Sequence, residues 1–284
     1  MSQVVVTMAP VLMVQGRNLP EVWEKSLLTL WENGMRVPTE YDKEQDEPSV
    51  DCTMIMVVED PMSEPRLHLA LPCSFRDMEK YRREVVDGVH DHWIAPEEGK
   101  WTYTYHQRLF AYDLGGKKVD QVTLAIDKLA KVPFTRRAQA ITWNVGLDPN
   151  TNDPPCLQRL WFRCLKDANG ELRLNVNAHW RSRDAYKAAF MNMFALTDLQ
   201  ARLAQSLSGK IGARVAAGQY VDVTDSYHIY GSYFPDFKER FLKAVAEREF
   251  YSASPGRSRT VRSDDPRVQR ETRAANEELA AEKR

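Results

Sequence analysis

Residues 153–192 read DPPCLQRLWFRCLKDANGELRLNVNAHWRSRDAYKAAFMN, and the fold of the chain turns on this stretch. Pro154 and Pro155 can join neither a helix interior nor a central ladder, so they stiffen a turn and present Cys156 at a strand start. Two runs of strand character flank Asp167-Ala168-Asn169-Gly170, a sequence that predicts a β-hairpin. A polar knot, Arg181-Ser182-Arg183-Asp184, closes the second strand. The segment 184–207 is apolar on most sides and predicts a long central helix carrying Asn192.

Outward from this stretch the elements are mixed. Residues 4–14, 53–58 (TMIMVV), 138–145 and 220–233 predict strands. Residues 18–33 predict an amphipathic helix with Asn18 as N-cap, Pro20 in its first turn and Gly34 as its stop. Further helices are expected at 76–89, 119–131 and 236–248. Residues 38–50 form a polar, acidic loop placed to order over a ligand, and 93–112 is aromatic and irregular. Strands and helices do not strictly alternate, so the expected class is α+β, a mixed β-sheet packed with helices. Residues 1–251 are read as one catalytic domain. Residues 252–284 carry few large apolar side chains and are expected to be a polar, mobile tail.

Composition narrows the function. The chain has 284 residues, 43% hydrophobic and 28% charged, as in an ordinary soluble domain. Its net charge of −1 gives no bulk attraction to DNA or to an acidic membrane, so any positive site is local. The four cysteines form no CxxC pair and have no histidine cluster beside them, which argues against zinc and against a disulfide framework. The N-terminus lacks a signal-peptide pattern and no run is long enough to span a membrane; a cytoplasmic protein is expected.

Cys156 is the focus of the chemistry. A lone cysteine in a strand is ordinarily a small buried hydrophobe. Here Arg136, Arg137 and Arg181 lie on both sides of it in sequence. Cations lower a thiol pKa, which suits a nucleophile acting on an anionic substrate. Adjacent arginines are usually solvated, and on an extended segment they point apart. Arg136 and Arg137 therefore serve one site only if the segment bends or crosses to another subunit. With Arg181 and Ser182 they match a phosphate monoester, because the guanidinium fork donates two hydrogen bonds. Asn192 either bonds backbone or reads O4 and N3–H of uracil. His228 and Tyr230 share a strand face, as a packed edge or as donors to a sugar hydroxyl. Tyr103 and Tyr105 have the same spacing and belong either to the core or against a flat cofactor. Tyr81, Arg83 and Glu84 stand together on one helix. Glu84 is either a surface charge or, if partly buried, a general acid or base.

These residues resemble thymidylate synthases and the related pyrimidine hydroxymethylases, over about 93–234. The resemblance rests on Pro154-Pro155-Cys156, on Arg181-Ser182-Arg183-Asp184, on Asn192 eight residues later, on His228 and Tyr230, and on the paired Arg136 and Arg137. It implies a sheet-mediated homodimer in which Arg136 and Arg137 reach the phosphate in the other subunit. It implies a pyrimidine nucleoside monophosphate as substrate and 5,10-methylenetetrahydrofolate as one-carbon donor. Cys156 would attack C6, Glu84 would move protons through water, and Tyr105 would stand near C5. Arg181 and Ser182 would hold the phosphate. Asp184 and Trp93 would lie on the folate side. Arg36 is a further candidate cation. The implied activity is conversion of dUMP to dTMP, with a dUMP or (d)CMP hydroxymethylase as the alternative and a non-catalytic nucleotide or RNA binder as a third. The chain departs from the common synthases at Leu157, Trp180 and Ala188, and its C-terminal stretch is not their short apolar closing segment.

Overall fold

A computed structural model describes residues 8–254 and 256–282. The first strand, β1 (Val11–Gly16), leads into α1 (Leu19–Asn33); residues 4–7 of the expected strand lie outside the described residues. Asn18 caps α1 by accepting the Glu21 N–H, and the Gly34 N–H closes on Leu30 O. Then come β2 (Met35–Val37), β3 (Ser49–Val58), β4 (Leu67–His68) and α2 (Phe75–Asp87). Gly88 ends α2 at φ 63, and a Cβ there would lie 2.2 Å from the His106 ring, so only glycine fits. Two short 3-10 turns precede α3 (Tyr105–Phe110), β5 (Tyr112–Asp113), β6 (Lys118–Val119), α4 (Gln121–Lys131) and β7 (Ala138–Ile141).

The hairpin is β8 (Leu157–Lys166) and β9 (Leu172–Trp180), turning where the sequence predicts. It is followed by β10 (Arg183–Asp184), the 23-residue α5 (Ala189–Ile211) and the 15-residue β11 (Val215–Ile229). A helical stretch of α6 (Phe234–Asp236), a π-helical segment (Phe237–Leu242) and α7 (Lys243–Glu247) comes next. β12 (Thr260–Val261) and α8 (Pro266–Glu282) complete the chain described.

The main sheet has the order β1-β3-β11-β9-β8-β7, with β2 on β3 and β10 on β11. β1–β3 and β11–β9 are parallel; β11–β3, β8–β9 and β7–β8 are antiparallel. This is the mixed sheet of an α+β fold. Strand alternation sorts the side chains. Leu160, Phe162, Leu174 and Val176 enter the core, where Phe190, Met193 and Leu196 of α5 meet them. Trp161, Asn175, Asn177 and His179 point to the other, half-open face. Within β11, three steps from Thr224 to Tyr227 oppose two steps of β3, from Met54 to Cys52. This bulge changes which residues are buried: Tyr220, Asp222 and Thr224 before it, Tyr227 and Ile229 after it.

The C-terminal stretch corrects the mobile tail expected for 252–284. β12 pairs antiparallel with β4. α8 lies along α2, and Val268, Ala275 and Leu279 are buried. Three apolar residues at spacings of seven and four make one narrow seam, too sparse to show in composition. Ion pairs flank it: Arg76 to Glu271 at 2.9 Å and to Glu278 at 2.7 Å, and Lys80 to Glu278 at 2.6 Å. No helix among the described residues is long and apolar enough to cross a membrane.

Candidate active site

Cys156 sits in a turn held from behind. Arg181 donates from Nη2 to Pro154 O at 2.6 Å and from Nε to Pro155 O at 3.2 Å. Its backbone N–H donates to Cys156 O at 2.9 Å. Tyr105 accepts the Leu157 N–H at 3.4 Å on its hydroxyl. The half-buried cysteine lines a cleft of about 650 Å³ with Arg181, Ser182 and Tyr230; Glu40, Tyr41 and Asp42 of the polar loop line it too. Burial pushes the Cys156 thiol up. Arg181 and Arg183 pull it down, Asp153 adds to the rise, and the net shift is upward. The arginines therefore moderate the desolvation without overcoming it, contrary to the thiolate expected from sequence.

The polar knot divides. Arg181 and Ser182 face the cleft, while Arg183 turns inward and is 3% exposed. Arg183 forms a two-pronged ion pair with Asp222. The same carboxylate accepts from Trp180 Nε1 at 3.1 Å and from Tyr220 Oη at 2.8 Å. Asp184 joins β10, which is why the helix begins only at Ala189. Its Oδ1 accepts the N–H groups of Tyr186 and Lys187. Burial raises it to about 6.

Asn192 is buried on α5 and donates from Nδ2 to Tyr81 Oη at 2.6 Å. Its Oδ1 has no hydrogen-bond partner among the described residues. Tyr81 stands within electrostatic reach of Glu84 and Tyr105, and Tyr105 of Cys156, so the base-reading candidate and the sulfur belong to one neighbourhood. His228 is 6% exposed and meets Tyr230 edge-on at 4.6 Å. Its Nε2 is buried with no hydrogen-bond partner among the described residues, and desolvation pushes its pKa down. An orphaned buried nitrogen of this kind suits a ligand hydroxyl.

A second cleft, of about 630 Å³, shares Asn152 and Asp153 with the first and is lined by Glu84, Trp101, Tyr103 and Tyr105. Burial pushes the Glu84 carboxyl up, His90 opposes this, and Asp91 adds to it. Trp93 does not line the cleft. It stacks on His90 at 3.8 Å and meets Trp101 edge-on at 5.1 Å, so Trp101 and Tyr103 form the aromatic wall. Arg83 turns away from Glu84, to Asn276 at 2.6 Å and Asp87 at 2.5 Å.

Arg136 and Arg137 are exposed and do not join the cleft of their own chain. Register places Ala138 opposite Phe162, which is about 20 Å along the strand from Cys156. Arg36 stacks on Phe234 at 4.5 Å and donates to Pro48 O at 3.2 Å. Sequence reasoning missed Asp222, His90 and Trp101. Trp101 and His90 stood in the aromatic segment and its approach. Asp222 lies 39 residues from Arg183, with no local pattern to pair them.

Residues 74–256 match the family model described as thymidylate synthase. A protein of Methanosarcina acetivorans, whose name as a thymidylate synthase is provisional, is 25% identical over 232 residues, or 82% of this chain and 95% of that one. A Methanopyrus kandleri protein with the same provisional name is 30% identical over 196 residues, 68% of this chain and 84% of that one. Among solved structures, thermostable thymidylate synthase A from Bacillus subtilis aligns at a TM-score of 0.59 and 20% identity, covering 83% of this chain and 86% of that one.

Proposed function

The chain belongs to the thymidylate synthase family, and from that premise we propose that it transfers a one-carbon unit to C5 of a pyrimidine nucleotide, with dUMP as substrate and dTMP as product. The observation that carries this reading is the placement of Cys156 beside Arg181 and Ser182 in one cleft, with Glu84 and Tyr105 in the cleft that adjoins it. The groups left open suit a nucleotide. Arg181 and Ser182 take the phosphate, the orphaned Nε2 of His228 takes a sugar hydroxyl with Tyr230, and Oδ1 of Asn192 takes N3–H of uracil. Cytosine has no N3–H to offer, which favours the uracil base.

Sγ of Cys156 bonds to C6 of the base and pushes an electron pair towards C5, which bonds to the incoming carbon as that carbon's bond to the donor nitrogen breaks; C5 sheds its proton, and the Sγ–C6 bond breaks to restore the C5–C6 double bond and free the thiolate. Glu84, raised by burial, relays protons through water. Tyr105 stands within electrostatic reach of the same sulfur. 5,10-Methylenetetrahydrofolate, as co-substrate, supplies the carbon and, for a methyl product, the hydride. The wall of Trp101 and Tyr103 fits a flat pterin, with Trp93 buttressing it; Asp184, which lines neither cleft, keeps its role as a polar contact to the folate only from the family resemblance. Arg136 and Arg137 complete the phosphate clamp of a second copy, across a homodimer built on the open sheet face. A cytoplasmic site accords with these substrates.

One observation favours a second product. Among the described residues none of 256–282 lines either cleft, because α8 lies on α2. Water admitted to the site would convert the exocyclic carbon to hydroxymethyl, the outcome of a dUMP or (d)CMP hydroxymethylase. Incubation with dUMP, dCMP and CMP in turn, with the folate donor, separates the readings by product mass. Dihydrofolate absorbance accompanies only the methyl product. Persistent tritium release from C5 in Cys156→Ala would refute Cys156 as the nucleophile, and nucleotide binding without release in the wild type would leave a nucleotide-binding homologue.

A further inference from the structure

The turn after α2 carries a histidine that the reaction above does not use. His90 is 6% exposed, and its Nδ1 lies 2.9 Å from Oε2 of Glu84. An ionised carboxylate only accepts, so the ring donates from Nδ1. The ring stacks on Trp93 at an interplanar angle of 9°, with Trp101 edge-on at 6.1 Å, which fixes its plane. The other nitrogen, Nε2, is buried without a hydrogen-bond partner among the described residues. The carboxylate it faces belongs to Glu282, 3.7 Å away at the end of α8. The ion pairs along α2 set the register of α8, and that register brings Glu282 over the histidine.

We propose that His90 is a positioning residue that orients Glu84 through Nδ1 and couples it through Nε2 to Glu282, so that α8 governs a cleft it does not line. This rests on Glu84 being the group that moves protons. The other charges around the pair are engaged elsewhere: Asp91 with His106 at 2.6 Å and with Thr104, Lys80 with Glu278, and Arg83 with Asp87. His90 is thus the side chain that hydrogen-bonds Glu84 directly, with Glu282 in relay, while Asp91 adds a repulsive charge.

Three variants separate the parts. His90→Phe keeps the stack on Trp93 and removes both nitrogens. His90→Asn keeps a donor at the Nδ1 position. Glu282→Ala removes an exposed side chain and leaves the core intact. The first readout needs no turnover: a 13C-carboxyl titration of glutamate-labelled protein, with Glu84 assigned through Glu84→Gln. His90→Phe is expected to raise the Glu84 midpoint by about one pH unit, and His90→Asn to restore it. An unmoved midpoint overturns the proposal. Should His90→Phe not fold, the 15N resonance of His90 Nε2 carries the test. It is expected to shift in Glu282→Ala, and an unchanged resonance overturns the coupling.

In turnover, His90→Phe is expected to lower kcat roughly 10- to 100-fold with nucleotide KM held, and His90→Asn to recover most of it. A kcat equal to wild type's in His90→Phe overturns the proposal. A wild-type protein that releases no tritium from C5 overturns the proposed reaction instead, and the two resonances then judge His90 independently.

Discussion

Arg181 and Arg183 stand two positions apart and have opposite surroundings. In an unbroken strand they would share a face, but β9 stops at Trp180 and β10 starts at Arg183, so the chain rotates between them. Among the described residues Arg183 then has Asp222 as its one counter-charge. Asp222→Asn keeps the shape and leaves a buried guanidinium unpaired, with an expected loss of about 3–5 kcal/mol read from denaturant midpoints. Sequence showed a polar knot here but not its partner, because long-range pairing leaves no local trace. Cys156 was legible as the candidate nucleophile from the prolines before it. The net effect of burial on its thiol was not, since desolvation depends on packing. Alkylation of Cys156 by iodoacetamide is expected to climb with pH through values above the ordinary thiol range. Arg181→Ala, which removes the largest lowering charge, is expected to slow it at any fixed pH.

Elements with strong local signals were readable. The caps of α1, the hairpin turn and the apolar α5 follow from N-cap chemistry, turn residues and periodicity. The C-terminal elements were not, because their anchors are scattered. Arg259 donates to both oxygens of Glu24, at 2.5 and 2.8 Å, and His68 Nε2 lies 3.0 Å from the same carboxylate. Together they hold Glu24 down at about 2. A folded pKa below the unfolded value gives stability that is present above the unfolded pKa, about 4.3, and lost as pH falls towards the folded one. Acid unfolding is therefore expected to draw on this group between about pH 4 and pH 2. Arg259→Ala is expected to flatten that dependence and to cost about 3 kcal/mol near neutrality, measured by thermal and urea unfolding. Protease access to α8 should rise in the same variant.

At the scale of the whole molecule, the half-open sheet face and the distance of Arg136 and Arg137 from Cys156 bear on one experiment. Cys156→Ala and Arg137→Ala proteins are each expected to be nearly inactive. Mixed and re-equilibrated, they should regain activity at roughly a quarter of the sites, since half the dimers are hybrids with one intact site each. No recovery would mean that each chain works with its own arginines. The paired arginines were visible in sequence; only the sheet register showed that they sit too far along β7 and β8 to reach their own cysteine. The bulge in β11 also constrains the number of residues as well as their identity. Removing Asp225 alone would leave two steps against two and keep Tyr227 and Ile229 inside; removing Ser226 as well would swing both out to water and put His228 in their place. Between Thr224 and Tyr227 the count of residues is as much a part of the design as the letters, and an alignment gap of two there would mark a chain whose His228 no longer looks the same way.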